Sequence, residues 1–252
     1  MTSLQAKARI EELSKEIEQH NYNYYVLSQP TISDYNFDML LEELVKLEKE
    51  YPAFITTDSP TQRVGGEITK EFKSVVHKHP MLSLSNTYSK EELSEFDNRV
   101  RKIITSPLEY VCELKFDGVA IGLTYTKGKL SQAVTRGDGV QGDDVTNNVK
   151  TIRSIPLKLY SNFPEEFEIR GEIYLPHKQF QEINLLREEE GENVFANPRN
   201  AASGSLKMQD SAEVAKRRLD CSLYNLSGDK IPYMTHYENL MAAKSWGFKI
   251  SP

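Results

Sequence analysis

The sequence predicts an α+β fold: a small N-terminal helical unit, then a larger unit built on a largely antiparallel sheet with covering helices. Three observations lead there. Apolar residues recur at helical spacing through residues 3–20 and 34–50. From about residue 109 the pattern changes to the two-residue alternation of half-buried strands. Short helical stretches then alternate irregularly with those strands, which favours a mixed rather than a parallel sheet.

The first helix, residues 3–20, carries Leu4, Ile10, Leu13 and Ile17 on one face, and Thr2 with Gln5 fits a capping box. A tyrosine cluster follows: Tyr22, Tyr24 and Tyr25. After Pro30, Ser33 is placed to cap a second helix from Asp34 to about Glu50, which Tyr51-Pro52 ends. Asp58-Ser-Pro60 and Gly65-Gly66 mark a loop, so the helical unit spans residues 1–70 and the second unit residues 71–252, with residues 58–66 as candidate hinge. Residues 109–136 predict two or three strands, one of them Tyr110 to Leu123, with Lys127-Gly128 as a hairpin turn. Another strand covers residues 167–175. It points Phe167, Ile169 and Ile173 one way and Glu168, Arg170 and Glu172 the other. Short helices are expected at residues 89–104, 143–150, 177–189, 211–218 and 235–246, and residues 194–204, rich in Asn, Pro, Ala and Gly, as a loop.

A chain of 252 residues has room for one large domain, or a large and a small one, and its 38% hydrophobic content is enough for a core at that size. The net charge of −6 argues against coating nucleic acid by bulk charge, although Lys216-Arg217-Arg218 is a candidate local basic patch. No stretch approaches the ~20 apolar residues of a membrane span, and the N-terminus runs into a charged helix with no apolar signal core. A soluble cytoplasmic protein without a membrane partner is expected. Cys112 and Cys221 lie in separate apolar runs and are expected as buried thiols, not a disulfide framework. The histidines His20, His77, His79, His177 and His236 are scattered, with surface positions expected.

Lys115 stands out, in Glu113-Leu114-Lys115-Phe116-Asp117-Gly118. On a strand, Glu113, Lys115 and Asp117 share one face, and Gly118 lets the backbone approach something closely. That arrangement suits a lysine nucleophile flanked by carboxylates that organise its substrate. An ordinary wet strand face laced with ion pairs would look the same. A lysine must shed its proton to attack, which desolvation or neighbouring positive charge from Arg136, Arg199 or a metal favours. Glu113 and Asp117 oppose that loss and better suit holding a substrate or a cation. Gly137-Asp-Gly139-Val-Gln-Gly142 matches a dinucleotide fingerprint, but Asp143-Asp144 put negative charge where a pyrophosphate would need helix N–H groups. A turn that positions Arg136 is the better account. A lysine, arginines in Gly- or Pro-containing loops and a carboxylate on a second strand together fit phosphoryl or nucleotidyl transfer.

The chain resembles the N-terminal adenylation region of bacterial NAD-dependent DNA ligases over nearly its whole length. The resemblance is carried by Asp58-Ser-Pro-Thr-Gln-Arg-Val-Gly65, Pro80-Met-Leu-Ser-Leu84, Cys112-Glu-Leu-Lys-Phe-Asp-Gly118, Thr135-Arg-Gly-Asp-Gly139, Glu168-Ile-Arg-Gly-Glu172 and Phe195-Ala-Asn-Pro-Arg-Asn-Ala-Ala-Ser-Gly-Ser-Leu206. It implies a nucleotidyltransferase fold of the ATP-grasp-like ligase type. It further implies that Lys115 attacks the α-phosphate of NAD, forms lysyl-AMP and releases nicotinamide mononucleotide (NMN). The AMP then passes to the 5′-phosphate of nicked double-stranded DNA. By the same resemblance Ser83, Leu84 and Glu113 line the adenosine pocket, Tyr224 stacks on adenine, and Arg136 and Arg199 contact phosphate or ribose, with Asp117 counted among the nucleotide-binding residues on its own chemistry. Glu172 holds ribose or a magnesium-bound water, making it the expected residue for Mg2+. The helical unit closes over NMN through Tyr24, Tyr25, Asp34, Tyr35, Asn36, Phe37 and Asp38; aromatic rings and carboxylates suit a cationic nicotinamide.

Three positions depart from the family pattern. Tyr25 stands where many members have histidine, Phe37 where many have tyrosine, and Lys207 where arginine is usual, losing a bidentate fork. The family pattern also continues past Ser251-Pro252 with an acidic strand, a lysine pair and the DNA-clamping modules. Weak self-adenylation, and no nick sealing by this stretch alone, are therefore expected. Alternatives are another lysine nucleotidyltransferase of the ATP-dependent ligase or capping type, which has no need of residues 1–70, or a non-catalytic nucleotide-binding fragment.

Overall fold

A computed structural model describes residues 1–27, 29–63, 71–160, 162–228 and 231–251, except the side chain of Asp34. Its architecture is α+β, as the periodicities predict. Helix α1 (Ser3–Asn21) begins with the predicted capping box: the Gln5 N–H donates to Thr2 Oγ1 at 3.3 Å, and the Thr2 N–H to Gln5 Oε1 at 2.9 Å. Helix α2 (Asp34–Glu50) is capped by Ser33, whose Oγ accepts from the Asn36 N–H at 3.2 Å. Ile10, Leu13 and Ile17 pack on Leu44, with Phe37, Leu40, Leu41 and Leu47 around them. Leu4, expected on that face, is 80% exposed: at about 100° per residue it points away from Ile10, Leu13 and Ile17, and Ala6 takes the buried place instead. A π-helical turn, Tyr22–Val26, extends α1 and carries the tyrosine cluster.

The second unit centres on a four-stranded antiparallel sheet in the order β3-β2-β5-β6: β2 (Val119–Thr126), β3 (Lys129–Thr135), β5 (Glu166–Tyr174) and β6 (Asp220–Ser227). The β2–β3 hairpin turns at Lys127 and Gly128, with φ of +51° and +74°, the backbone a two-residue hairpin demands. Strand β5 follows the predicted alternation, with Phe167, Ile169 and Ile173 buried and Glu168, Arg170 and Glu172 on the opposite face. A small two-stranded sheet pairs β1 (Ser74–Val76) with β4 (Gln141–Asp143). The remaining helices are α3 (Lys90–Ile103), α4 (Thr146–Val149), α5 (His177–Glu189), α6 (Pro198–Leu206), α7 (Ser211–Lys216) and α8 (His236–Ser245). Val149, Ile152 and Ile155, with Ala201, Leu206, Trp246 and Phe248, complete the core on the sheet's apolar face. Tyr125 stacks on Phe167 at 5.5 Å and meets Phe248 edge-on at 5.0 Å.

Several expectations are corrected. The strand predicted from Tyr110 begins only at Val119. Its neighbour β5 ends at Tyr174 just before Pro176, which has no N–H, so residues 110–117 find no ladder partner there. The predicted loop at residues 194–204 contains α6. There Asn197 Oδ1 accepts from the Asn200 N–H at 2.8 Å, Pro198 takes the first turn, and Ala201 and Ala202 are buried. The predicted helix at 143–150 shrinks to α4, because Gln141–Asp143 pair with β1. Cys112 is exposed, whereas Cys221 is buried as expected. His77 is buried and not on the surface; its Nε2–H donates to the Arg136 carbonyl at 3.1 Å.

The helical unit is anchored by Arg63, whose Nη1 donates to the carbonyls of Lys150, Ile152 and Ile155 at 3.1–3.3 Å. Asp58 pairs with Lys129 at 2.8 Å, so the first part of the predicted hinge is tied down; residues 64–66 of it, and the unit boundary at 70, lie outside the described residues. Burial pushes the Arg63 guanidinium down to about 10, against the pull of the nearby Glu18 carboxylate. The same burial raises Glu18 from 4.5 to about 7, against the pull of Arg63 and Lys158. Because its folded-state value is raised, neutral Glu18 stabilises the docked state fully below about 4.5, and this is lost as pH rises through about 7. Glu18→Gln keeps the neutral form at every pH. Its melting temperature relative to the parent should therefore climb by a few degrees between pH 5 and pH 8; a difference that stays flat across that range rules the coupling out.

Candidate active site

The candidate site is assembled from the polar face of the sheet and the loops at its end. Lys115 lies in the irregular segment that leads into β2, with an exposed side chain. The strand-face argument for Glu113, Lys115 and Asp117 therefore does not hold as made. What fixes this segment is Gly118, whose N–H donates to Glu172 Oε1 at 3.1 Å. A Cβ on Gly118 would lie 2.1 Å from the Ile173 carbonyl oxygen, so only glycine lets the two strands meet here.

Glu172 is half-buried, and desolvation raises its carboxyl above the ordinary range. The Gly118 hydrogen bond opposes that rise, and so do the charges of Lys115, Arg199 and Arg136, which places those three cations around one carboxylate. Arg199, near the start of α6, donates from Nη1 to Asp117 Oδ1 at 3.0 Å. Arg136 follows β3 and reaches Ser83 Oγ from Nη1 at 3.5 Å, at the limit of a hydrogen bond. Tyr224 on β6 is half-buried, and desolvation with the Glu172 charge pushes its hydroxyl up to about 12. Ser83 and Leu84 are exposed, Leu84 by 82%. The glycines of the fingerprint-like stretch form a tight turn between β3 and β4, with Asp138 Oδ1 accepting from the Val140 and Gln141 N–H groups at 2.8 Å, and no helix N-terminus directly follows. The turn holds Arg136, as predicted.

Two residues that sequence reasoning passed over shape this site. Arg170 donates to the carbonyls of His79 and Pro80 at 2.5 and 2.9 Å and to Glu168 at 2.5 Å, pinning the segment that carries Ser83 and Leu84. His236, at the start of α8, donates from Nε2 to Glu113 Oε2 at 3.0 Å and ties the Lys115 segment to that helix. Arg170 was visible as part of the strand's polar face; His236 had no local signal, because its partner is remote in sequence. Lys207 bonds Asp143 at 2.7 Å. In the expected basic patch, Lys216 bonds Glu213 at 2.6 Å and Arg218 lines a cleft against the helical unit.

The residues expected to face NMN gather elsewhere. Tyr24, Tyr25, Phe37 and Asp38 line that cleft, opposite Thr151, Arg153 and Arg218. Tyr35 is 72% exposed and Asn36 is exposed; of Asp34 only the backbone is described. Among the described residues, no cluster of three or more His, Cys, Asp or Glu side chains could hold a metal ion. Among them, too, no helix is long and apolar enough to cross a membrane.

Two family models match the chain. The one described as NAD-dependent DNA ligase adenylation domain covers residues 69–252, and the one described as DNA ligase-like, N-terminal NAD+-binding domain covers residues 3–65. Among curated relatives, a protein named DNA ligase from Cytophaga hutchinsonii is 60% identical over 252 residues, all of this chain and 38% of that protein. Those from Christiangramia forsetii and Bacteroides fragilis are 57% and 58% identical over 247 residues, covering 98% of this chain and 37% of each relative. The chain thus spans well under half the length of these relatives.

The Gly118 contact gives a direct test. Gly118→Ala forces a methyl group against the β5 backbone and separates the Gly118 N–H from Glu172. It should destabilise the fold by roughly 2–4 kcal/mol in denaturant unfolding. A midpoint within experimental error of the parent's would show that the strands are not held this close.

Proposed function

Because the chain belongs to the family of NAD-dependent DNA ligase adenylation domains, we propose that it is the part of such a ligase that charges itself with AMP from NAD. The observation that carries this reading is the Gly118–Glu172 hydrogen bond that sets the end of the Lys115 segment on the sheet, with Arg199 tied to that segment at Asp117 and the charges of Lys115, Arg136 and Arg199 all acting on Glu172. A diphosphate brought among three cations is oriented and partly neutralised, which is most of what nucleotidyl transfer asks of a protein. In the reading, Lys115 Nζ forms a bond to the α-phosphorus of NAD as the bond to the bridging oxygen breaks. NMN leaves with that oxygen, the amine gives up a proton, and a phosphoramidate to AMP remains.

Arg136 and Arg199 take the phosphate oxygens. The Arg199–Asp117 pair is solvent-exposed and worth little, so a phosphate can replace Asp117 as its partner. Ser83, Leu84 and Glu113 border the adenosine, and Tyr224 offers its ring to the adenine. NMN falls to the helical unit, residues 1–70, through Tyr24, Tyr25, Asp34, Tyr35, Asn36, Phe37 and Asp38, while residues 71–252 hold the adenylate. The donor set fits magnesium only as a hydrated ion carried by the substrate's phosphates, with Glu172 accepting from one of its waters, since no carboxylate cluster is present among the described residues. Bound there, the ion would supply further charge neutralisation at the phosphate. Transfer of the AMP to a 5′-phosphate at a DNA nick, in the cytoplasm, is the use proposed for it in the longer protein.

Incubation of the chain with magnesium and NAD, followed by intact-mass measurement, should show one added AMP that disappears in Lys115→Ala. ATP in place of NAD should leave the mass unchanged. Labelling by ATP alone, or an adduct that survives the loss of Lys115, would overturn the assignment.

A further inference from the structure

The residues proposed to recognise NMN already have an occupant. Arg153, on the loop after α4, sets its guanidinium carbon 5.6 Å from the centre of the Tyr25 ring and 5.7 Å from that of Phe37. Its Nη1 also donates to the Tyr25 hydroxyl at 3.2 Å. A planar cation over two aromatic rings is the interaction a nicotinamide cation would make with the same rings. Around it lies a cleft of about 530 Å³, with Tyr25, Phe37 and Asp38 on one wall and Arg153, Arg218 and Asp220 on the other.

The position of this cleft matters as much as its content. Ile152 and Ile155, which flank Arg153, are buried in the core on the apolar face of the sheet with Ile169 and Ile173. Glu172, whose carboxylate feels Lys115, Arg136 and Arg199, projects from the opposite face. The helical unit is therefore docked against the loop that covers the apolar face of the sheet, with Pro176 and Asp220 at the sheet's end completing the cleft. The two places are linked through the end of the sheet, where Phe116 stacks on Tyr174 at 5.1 Å and the Tyr174 hydroxyl donates to Asp220 of the cleft wall at 3.0 Å.

We propose that Arg153 is an internal competitor for the NMN site: its guanidinium occupies the Tyr25–Phe37 aromatic pair and holds the helical unit against the loop after α4 until NMN, or the NMN half of NAD, displaces it. The proposal rests on the reading of the helical unit as the NMN-binding part. It adds that the unit's affinity is set by a contact within the chain. A site that is free only part of the time binds with an affinity reduced by that fraction, so removing the competitor strengthens binding without any new contact to the ligand.

Arg153 is exposed, so its replacement should leave the fold intact. Calorimetric titration of the whole chain with NMN should show Arg153→Gln binding about 3- to 10-fold tighter than the parent, the range expected when an exposed cation–π contact and its hydrogen bond are removed from the competing state. Arg153→Lys, which keeps the cation, should return affinity most of the way to the parent value. Small-angle scattering without ligand should show a larger radius of gyration for Arg153→Gln. Equal or weaker NMN binding by Arg153→Gln sinks the competitor and leaves the NMN reading standing. An unchanged radius of gyration sinks the parking contact. If neither protein binds NMN, the NMN reading itself fails and the competitor goes with it.

Discussion

The candidate site depends on the close approach of Gly118 to β5. The Glu172 carboxylate sits where desolvation works against its charge; the Gly118 N–H holds it there, and the charges of Lys115, Arg199 and Arg136 favour its ionised form. Without a side chain at Gly118 the two backbones come together. That contact fixes where the irregular segment carrying Lys115 joins the sheet. Arg170 and His236 then brace the surroundings, one holding the segment of Ser83 and Leu84 and the other holding Glu113. Lys115 is thus carried on an exposed stretch whose exit is fixed, an arrangement that locates its amine without burying it.

The charge distribution separates the local task from the bulk property. The chain as a whole is acidic at −6. At the site, however, Lys115, Arg136 and Arg199 all act on the half-buried Glu172, and the Asp117 and Glu113 carboxylates are taken up by Arg199 and His236. Clustered cations give a phosphate charged partners, and the global negative charge disfavours indiscriminate contact with nucleic acid. The exposed Asp117–Arg199 pair gives the arginine a partner that is easily exchanged, so its charge need not be desolvated before a phosphate arrives.

How much of this was legible in the sequence depended on whether the governing partners were local. Strand β5 was legible because one face is buried and the period of two is strict along it. The helix caps at Thr2 and Ser33 and the Lys127-Gly128 turn were legible because each acts within a few residues. Residues 110–117 misled, since a strand exists only if a neighbour supplies a ladder, and that neighbour stops before Pro176. Helix α6 was hidden by its own Asn, Pro and Gly, which read as loop residues although Asn197 is a cap and Pro198 a first-turn residue. At the site, Lys115, Arg136, Glu172 and Arg199 could be nominated from motif resemblance. Arg63 and Arg153 could not be assigned partners, because these are carbonyls and rings brought near only by the tertiary fold.

Those two arginines divide the docking of the helical unit into unequal parts. Arg63 is buried and donates to three carbonyls, and each hydrogen bond from a charged group contributes about 1.5–3 kcal/mol. Losing it would take the donor from the Lys150 and Ile155 carbonyls and one of two donors from the Ile152 carbonyl, which also accepts from the Ile155 N–H. Arg153 is exposed, and a cation–π contact there contributes about 0.5–1 kcal/mol. The unit therefore has one point that is costly to release and one that is cheap. A motion that keeps the Arg63 anchor and opens the Arg153 contact is the least expensive way to free Tyr25 and Phe37, because it breaks the weak contact and leaves the three Arg63 hydrogen bonds in place.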